Sequence, residues 1–482
     1  MNTRYQGWWL ALVVMGLAMC ALPMTAQELP WQRGKSIVGG KPKELSPREM
    51  LILLGIDESH WDQLYDGRPL GSEESETLTK LLFRMPRFDP PQWDRWAKTD
   101  LNVDEVLKAP KDFRGQGMIV RGRARRVEVQ ELLPELVPLY EFRKYYRVTV
   151  AVEGSPHPLV IVTRAIPQLW KDTAELDEPV MVRGLFLKAG EPEVDKTPLY
   201  FVAPRIGWLP DKVNPELGVH ETFVWLAQRG MDIALWDDVR ANNGAAISAA
   251  EAECFYHLLA TLKGASPEEL AKLKAAPFDL PLMLTDPDPL LGRPYYCTGT
   301  ARRVQKVTVS DAFRERLGID HYYEIDMFLP LDNQAIRLAP AKGQEDVPTF
   351  TNGFPVTFNV THLPEGVDEG DNVYYPMRME GVFFKLWAYQ SEYIKQFNKN
   401  LRQPSPLLMG TQVKLLPSGQ VAAGEGWGSA TLMMAVVVGV LVIWFAAWRT
   451  MRGDKRFERK VLRHYTGGPK PVIQPPDDKP AS

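Results

Sequence analysis

A six-residue stretch, Gly122-Arg-Ala-Arg-Arg-Val127, returns 177 positions later as Gly299-Thr-Ala-Arg-Arg-Val304. The same spacing carries Tyr145-Tyr146 onto Tyr322-Tyr323, Gly115 onto Gly292 and Pro90 onto Pro267, and places Trp93 and Trp96 opposite Leu270 and Leu273. The chain therefore encodes one unit twice. Any fold assigned to it must fit within roughly 180 residues, inside the usual domain range, and must tolerate being joined end to end with itself.

Each copy changes period midway. In the first, Ser46-Pro-Arg-Glu49 has the form of a helix start, with Ser as N-cap, Pro in the first turn and Glu three residues on. Met50, Leu51, Leu53 and Leu54 form its apolar face, and Trp61, Leu64 and Tyr65 continue on a second short helix. Helical spacing over Glu73–Met85 and Pro90–Lys98 predicts two more. From Gly117 the period becomes two. Strands are expected from there to Val129, then over Tyr145–Val152, Leu159–Thr163, Pro179–Lys188 and Leu199–Trp208, with a short helical connection near Trp170. The second copy repeats this order, with about twenty extra residues between Leu331 and Gly353 and a longer hairpin tip around Tyr389–Arg402. Arg183-Gly-Leu-Phe-Leu-Lys188 then matches Glu380-Gly-Val-Phe-Phe-Lys385.

Three strands, a short helical connection and two more strands, with glycines inside the first and fourth, resembles the OB-fold, a five-stranded partly open Greek-key barrel. The resemblance covers 112–210 and 290–417. The fold class expected is α+β: a helical subdomain followed by an OB-like barrel, written twice. The segments are 45–110 and 111–210, then 211–288 and 289–417, with a linker over 27–44.

The ends have a different character. Residues 1–26 have the form of a signal peptide, with Arg4 before the apolar run Trp8–Leu22 and a cut after Ala26; an uncleaved signal anchor is the alternative. Leu17-Ala-Met-Cys20 approaches a lipoprotein box but has Met before the Cys. After a linker at 418–428, residues 429–448 are uncharged and apolar, long enough for one transmembrane helix. Trp427, Trp444 and Trp448 lie toward its boundaries. The tail 449–482 carries nine Lys/Arg against four Asp/Glu and is rich in Pro, so it is expected in the cytoplasm with the main body outside. Ala435 and Gly439 form a small-xxx-small pair through which the helices could associate into an oligomer.

The chain has a net charge of −3, which leaves the body outside that basic tail acidic. That is a poor start for a nucleic-acid binder, which must neutralise phosphates, and nucleic acid is not an expected partner. Seven histidines make no metal pair: His220-Glu221 begins like a zinc-protease helix, but no second His follows. No metal site, cofactor pattern, nucleophile elbow or phosphate loop is present. Cys254 and Cys297 are expected as buried free thiols; Cys254 and His257, three apart on a helix, could face one way. Asp286-Pro-Asp-Pro289 has the form of a linker.

The candidate ligand-binding residues are Arg125, Arg126, Arg302 and Arg303 on the first strand of each barrel, with Tyr145, Tyr146, Tyr322 and Tyr323 opening the second. Strand alternation implies that only one arginine of each pair faces a given surface. The function expected is a membrane-anchored binding or scaffolding protein for protein or glycan partners in the cell envelope. Two alternatives are an envelope enzyme with its site in a cleft between modules, and single-strand nucleic-acid or anionic-glycan binding on the barrel faces.

Overall fold

The computed structural model describes residues 45–173, 175–332, 334–338, 348–397 and 401–417. The leader 1–26, the 27–44 linker, and the stretch from 418 onward, with its apolar segment and basic tail, lie outside the described residues. Among the described residues no helix is long and apolar enough to cross a membrane.

The helices start where local chemistry lets them. Ser46 and Glu49 form a reciprocal capping box at Pro47–Leu53, and Asp89 and Gln92 form another at Pro90–Trp96. Each box satisfies backbone N–H groups that the first turn would leave bare. Helix Ser75–Arg84 buries Leu78, Leu81 and Leu82 on one face, as their spacing requires.

The architecture is mixed α+β, with two six-stranded sheets and a two-stranded ribbon. The first sheet contains β1 (Gly117–Glu131), β2 (Lys144–Ala151), β3 (Leu159–Thr163), β4 (Glu175–Ala189), β5 (Leu199–Ala203) and β6 (Gly207–Trp208). Its order is β1-β2-β3-β5-β4-β6, and β1 also pairs with β4. The expected fifth strand breaks in two because Pro204, which has no N–H to give a ladder, separates β5 from β6. The second sheet contains β7 (Ala276–Pro277), β8 (Pro294–Thr308) and β9 (His321–Pro330), and the ribbon that follows is β10 (Ile336–Arg337) with β11 (Thr349–Phe350). This ribbon is part of the sequence inserted between Leu331 and Gly353. The sheet then resumes with β12 (Gly353–Val360), β13 (Tyr375–Tyr389) and β14 (Gln403–Leu415). Its order is β13-β14-β12-β9-β8-β7, again with a pairing that joins the first and fourth long strands, β8 and β13. In each copy the third and fifth strands pair in parallel, β3 with β5 and β12 with β14.

The repeated glycine of the sequence motif stands where two strands come too close for a side chain. A Cβ on Gly122 would lie 2.3 Å from the Ala151 carbonyl oxygen, and one on Gly299 2.6 Å from that of Phe328. Just beyond, both first strands carry a β-bulge at the same motif position, between Ala124 and Arg126 and between Ala301 and Arg303. The alternation expected for the arginine pairs therefore fails in the first copy: a bulge sets two residues against one on the partner strand and re-aims their side chains. Ala124 and Val127 are buried, while Arg125 and Arg126 are both exposed.

A second bulge recurs in the fourth strand, between Phe186 and Lys188 in β4 and between Phe383 and Lys385 in β13. It turns each lysine toward the helical subdomain. Lys188 Nζ donates to Glu74 Oε1 at 2.5 Å, and Lys385 Nζ donates to Glu251 Oε1 at 2.6 Å, with both lysines fully buried. The glutamates also accept backbone N–H bonds from Gly71 and Ser248, so one carboxylate caps a turn and binds the sheet at once. Beside each pair a turn docks on the same strand: Gly67 donates to the Ala189 carbonyl and Gly244 to the Leu386 carbonyl. Both glycines have left-handed φ, +77° and +78°, which explains why Asp-Gly and Asn-Gly recur here.

The first helical subdomain covers the outside of the first sheet. Leu51, Trp61, Leu81, Leu82 and Trp93 pack with Val162, Leu185, Leu187 and Val202 in one cluster. Full burial of side chains of this size is worth about 1.5–3 kcal/mol each. The second subdomain lies between the two sheets. One continuous core joins Val148, Ile161 and Phe201 of the first sheet to Phe223, Trp236 and Phe255 of the helices, and onward to Ile325, Phe358 and Met409 of the second sheet.

Candidate functional site

The arginines of the repeated motif have different fates in the two copies. Arg125 pairs with Asp177 at 2.5 Å and Arg126 with Glu128 at 3.1 Å, both in solvent. Asp177 also receives Arg123, which in turn reaches Asp211. Arg302 lies over the exposed ring of Tyr374, 5.4 Å from its centroid. Arg303 is buried: its Nε donates to Asp326 Oδ2 at 2.8 Å, its Nη2 to Glu324 Oε1 at 2.7 Å and its Nη1 to Gln305 Oε1 at 3.0 Å.

The tyrosines divide in the same way. Tyr146 and Tyr322 are buried, Tyr322 edge-on to Phe255. Tyr145 is half-buried against the first helical subdomain, and Tyr323 is half-buried with Lys306 over its ring at 6.0 Å. Strand alternation explains the division, since adjacent residues of an unbulged strand take opposite faces. The eight residues therefore do not form one surface. Of the eight, one tyrosine of each copy lies in the core, and Arg303 is the buried arginine.

What the second sheet does bring together is a buried polar cluster across four strands. Arg303 of β8 holds Glu324 and Asp326 of β9, and Thr357 of β12 donates to Asp326 Oδ1 at 3.1 Å. Tyr389, at the end of β13, is buried beside them and accepts from Gln403 Nε2 at 3.0 Å. Burial, and then the Asp326 carboxylate, push the Glu324 carboxyl up to about 8 against the opposing pull of Arg303. Burial alone would lower the Arg303 guanidinium, but Asp326 and Glu324 outweigh it and raise it. The Glu324 carboxyl therefore keeps its proton at neutral pH, because burial and a neighbouring carboxylate both disfavour its charged form. A signal was present in the sequence: Glu324 and Asp326 are two apart within Glu-Ile-Asp-Met, so they share one strand face across from Arg303.

The remaining candidates have structural partners. Cys254 and Cys297 are free and buried, and burial raises both thiols. Cys254 does not pair with His257: the thiol lies in the core, while the imidazole approaches Glu253 at 3.5 Å. His220 stacks on Phe223 with ring centroids 4.0 Å apart, and burial, with Arg293 nearby, lowers its pKa to about 4. Asp288 of the Asp-Pro-Asp-Pro stretch accepts from Asn243 at 2.6 Å. Among the described residues no group of His, Cys, Asp and Glu could hold a metal ion.

No protein-family profile and no curated protein sequence matches this chain. Among solved structures it is similar to the wild-type single-stranded DNA binding protein from Thermus aquaticus. Identity is 8%, with 64% of this chain and 97% of that one covered, at a TM-score of 0.14. A deletion mutant of that protein matches at 9% identity, with the same coverage and TM-score.

Proposed function

We propose that the chain is a membrane-anchored, extracytoplasmic binding and scaffolding protein, built from two OB-like barrels with their helical subdomains. The barrel reading is supported by strand pairing that returns on itself, β1-β2-β3-β5-β4 to β1 and β8-β9-β12-β14-β13 to β8. The anchor and its orientation rest on the apolar 429–448 segment followed by the basic tail.

One observation carries the scaffold reading: charged side chains lock the two copies together. Arg316 of the second copy donates to Asp94 of the first at 2.6 Å and to both Glu253 oxygens at 2.8 and 3.0 Å. Asp94 also pairs with Arg183 of β4 at 3.1 Å. Asp237 of the second subdomain accepts from the backbone N–H of Gln168, and Asp232 from that of Trp208. Two modules held this way present their surfaces at a set separation, which suits holding partners in register.

The test is chemical crosslinking of the full-length chain in its own membrane, followed by mass measurement after mild solubilisation. The expected result is a discrete complex with at least one other protein. A chain that runs alone, with the purified 27–427 fragment turning over a substrate, would replace the scaffold by an enzyme.

A further inference from the structure

Comparison of equivalent faces of the two copies points to a docking site. In the second copy, the helix Asp311–Leu317 and the helix Ala252–Lys263 form the face that receives the first copy, through Arg316 and Glu253. The matching face of the first copy is built from Val137–Tyr140 and Ser75–Arg84. Both connecting helices end on a left-handed residue, Glu141 (φ 59°) and Gly318 (φ 66°), which fixes the correspondence. Arg316 thus corresponds to Leu139, Thr261 to Arg84, Ala260 to Phe83 and Gln228 to Leu53.

The substitutions convert a polar seat into an apolar one with a basic rim. Leu53 is 71% exposed and Leu139 65% exposed. Beside Leu139 is a groove of about 210 Å³ with Leu54, Phe83, Leu139 and Tyr140 along it and Lys80 and Arg84 at its edge. The Arg84 and Arg87 guanidinium groups each lie 5.0 Å from the Phe83 ring centroid. Among the described residues neither has a carboxylate partner, whereas Lys80 is paired with Glu76 at 2.6 Å.

We infer that this groove docks an acidic amphipathic helix of another protein, with its apolar side on Leu54, Phe83 and Leu139 and its carboxylates on Arg84 and Arg87. The counterpart face in the second copy already receives a helix-borne carboxylate, Asp94 of Pro90–Trp96. The N- and C-terminal segments outside the described residues have the wrong charge. Residues 27–44 carry four Lys/Arg against two Asp/Glu, and 449–482 carry nine against four. A second copy's Pro90–Trp96 helix is already engaged through Asp94 with its own Arg183 and Arg316. Charge complementarity sets the register and the choice of partner, and the apolar floor supplies most of the binding energy.

The inference rests on the scaffold reading, and its test separates the two. Full-length chain in mild detergent is titrated with fluorescent amphipathic helical peptides of about 16 residues, four turns or so. They share one Leu/Phe face and differ only in a Glu, Gln or Lys polar face. The Glu peptide is expected to bind roughly tenfold tighter than the Gln peptide, a difference of about 1.4 kcal/mol, and the Lys peptide weakest. Leu139→Glu abolishes binding, Arg84→Glu with Arg87→Glu reverses the order, and Arg84→Lys with Arg87→Lys preserves it. Circular dichroism on each variant confirms an intact fold. Equal binding of the three peptides, no binding of any, or an order indifferent to the charge reversal overturns the inference. If the chain still crosslinks to a protein in its membrane under those outcomes, the scaffold stands and only this face is excluded.

Discussion

Lys385→Met is the sharpest perturbation the structure offers. The ammonium is fully buried and donates to Glu251 Oε1 at 2.6 Å and to the Asn242 carbonyl at 2.8 Å. Burial lowers its pKa, and Glu251 opposes that shift. Methionine fills nearly the same volume, so little cavity forms. What remains is a buried Glu251 carboxylate whose Oε2 keeps Ser248 and Asn242 but whose Oε1 has lost its cation. Breaking a buried pair on one side costs about 3–5 kcal/mol, which is roughly a hundredfold to several thousandfold in the unfolding equilibrium. Glu251→Gln strands the ammonium instead and should cost a similar amount. The double variant leaves no isolated charge and should lose no more than either single, so the singles will be non-additive by at least about 2 kcal/mol. Urea unfolding of the full-length chain in detergent, followed by tryptophan fluorescence, measures all three. A loss below about 1 kcal/mol for Lys385→Met, or an additive double variant, would refute the argument.

Three further outcomes follow from the same geometry. Gly299→Ala forces a Cβ to 2.6 Å from the Phe328 carbonyl oxygen, and a shift in urea midpoint worth about 1–3 kcal/mol of destabilisation is expected. Glu141→Gly relieves a left-handed residue at φ 59°, so it should raise the thermal midpoint by the equivalent of about 0.5–1 kcal/mol. Glu324 is raised from 4.5 to about 8 in the folded chain, so between those values the folded state keeps a proton that the unfolded chain has released. Its contribution to stability is full below pH 4.5 and is lost as pH rises through about 8. Glu324→Gln should flatten that slope in urea titrations at stepped pH, and an unchanged slope would contradict the assignment.

The duplication made much of this architecture legible, because positions that recur at one spacing are needed twice for the same reason. The helix start at Ser46 was visible as local chemistry, and it recurs in the structure as a capping box. The bulges were not visible. Whether Arg125 is an extra residue depends on which residues of β2 and β4 face it, and that register belongs to distant segments. The arginine pair therefore suggested a site, while the structure leaves both members in solvent in one copy and in the other divides them between an exposed tyrosine ring and a buried cluster. The paired lysines show the reverse case. Lys188 and Lys385 align within apolar runs, and Glu74 and Glu251 recur at 177 residues, yet only the bulge that re-aims each lysine connects the two observations. A charge repeated inside an apolar strand end was the available signal.

The central claim is that the two copies form one mechanical body. Native-state hydrogen exchange with mass spectrometry on the full-length chain tests it, through peptides covering β1 and β2 of the first sheet and β9 and β12 of the second. A shared core and the Arg316 bridge to Asp94 predict that both sheets open with similar free energies, within about 1 kcal/mol of each other, in one cooperative unit. They also predict that Lys385→Met lowers protection in both. A first sheet whose protection is untouched by Lys385→Met would mean two independent modules on a string and would contradict the account.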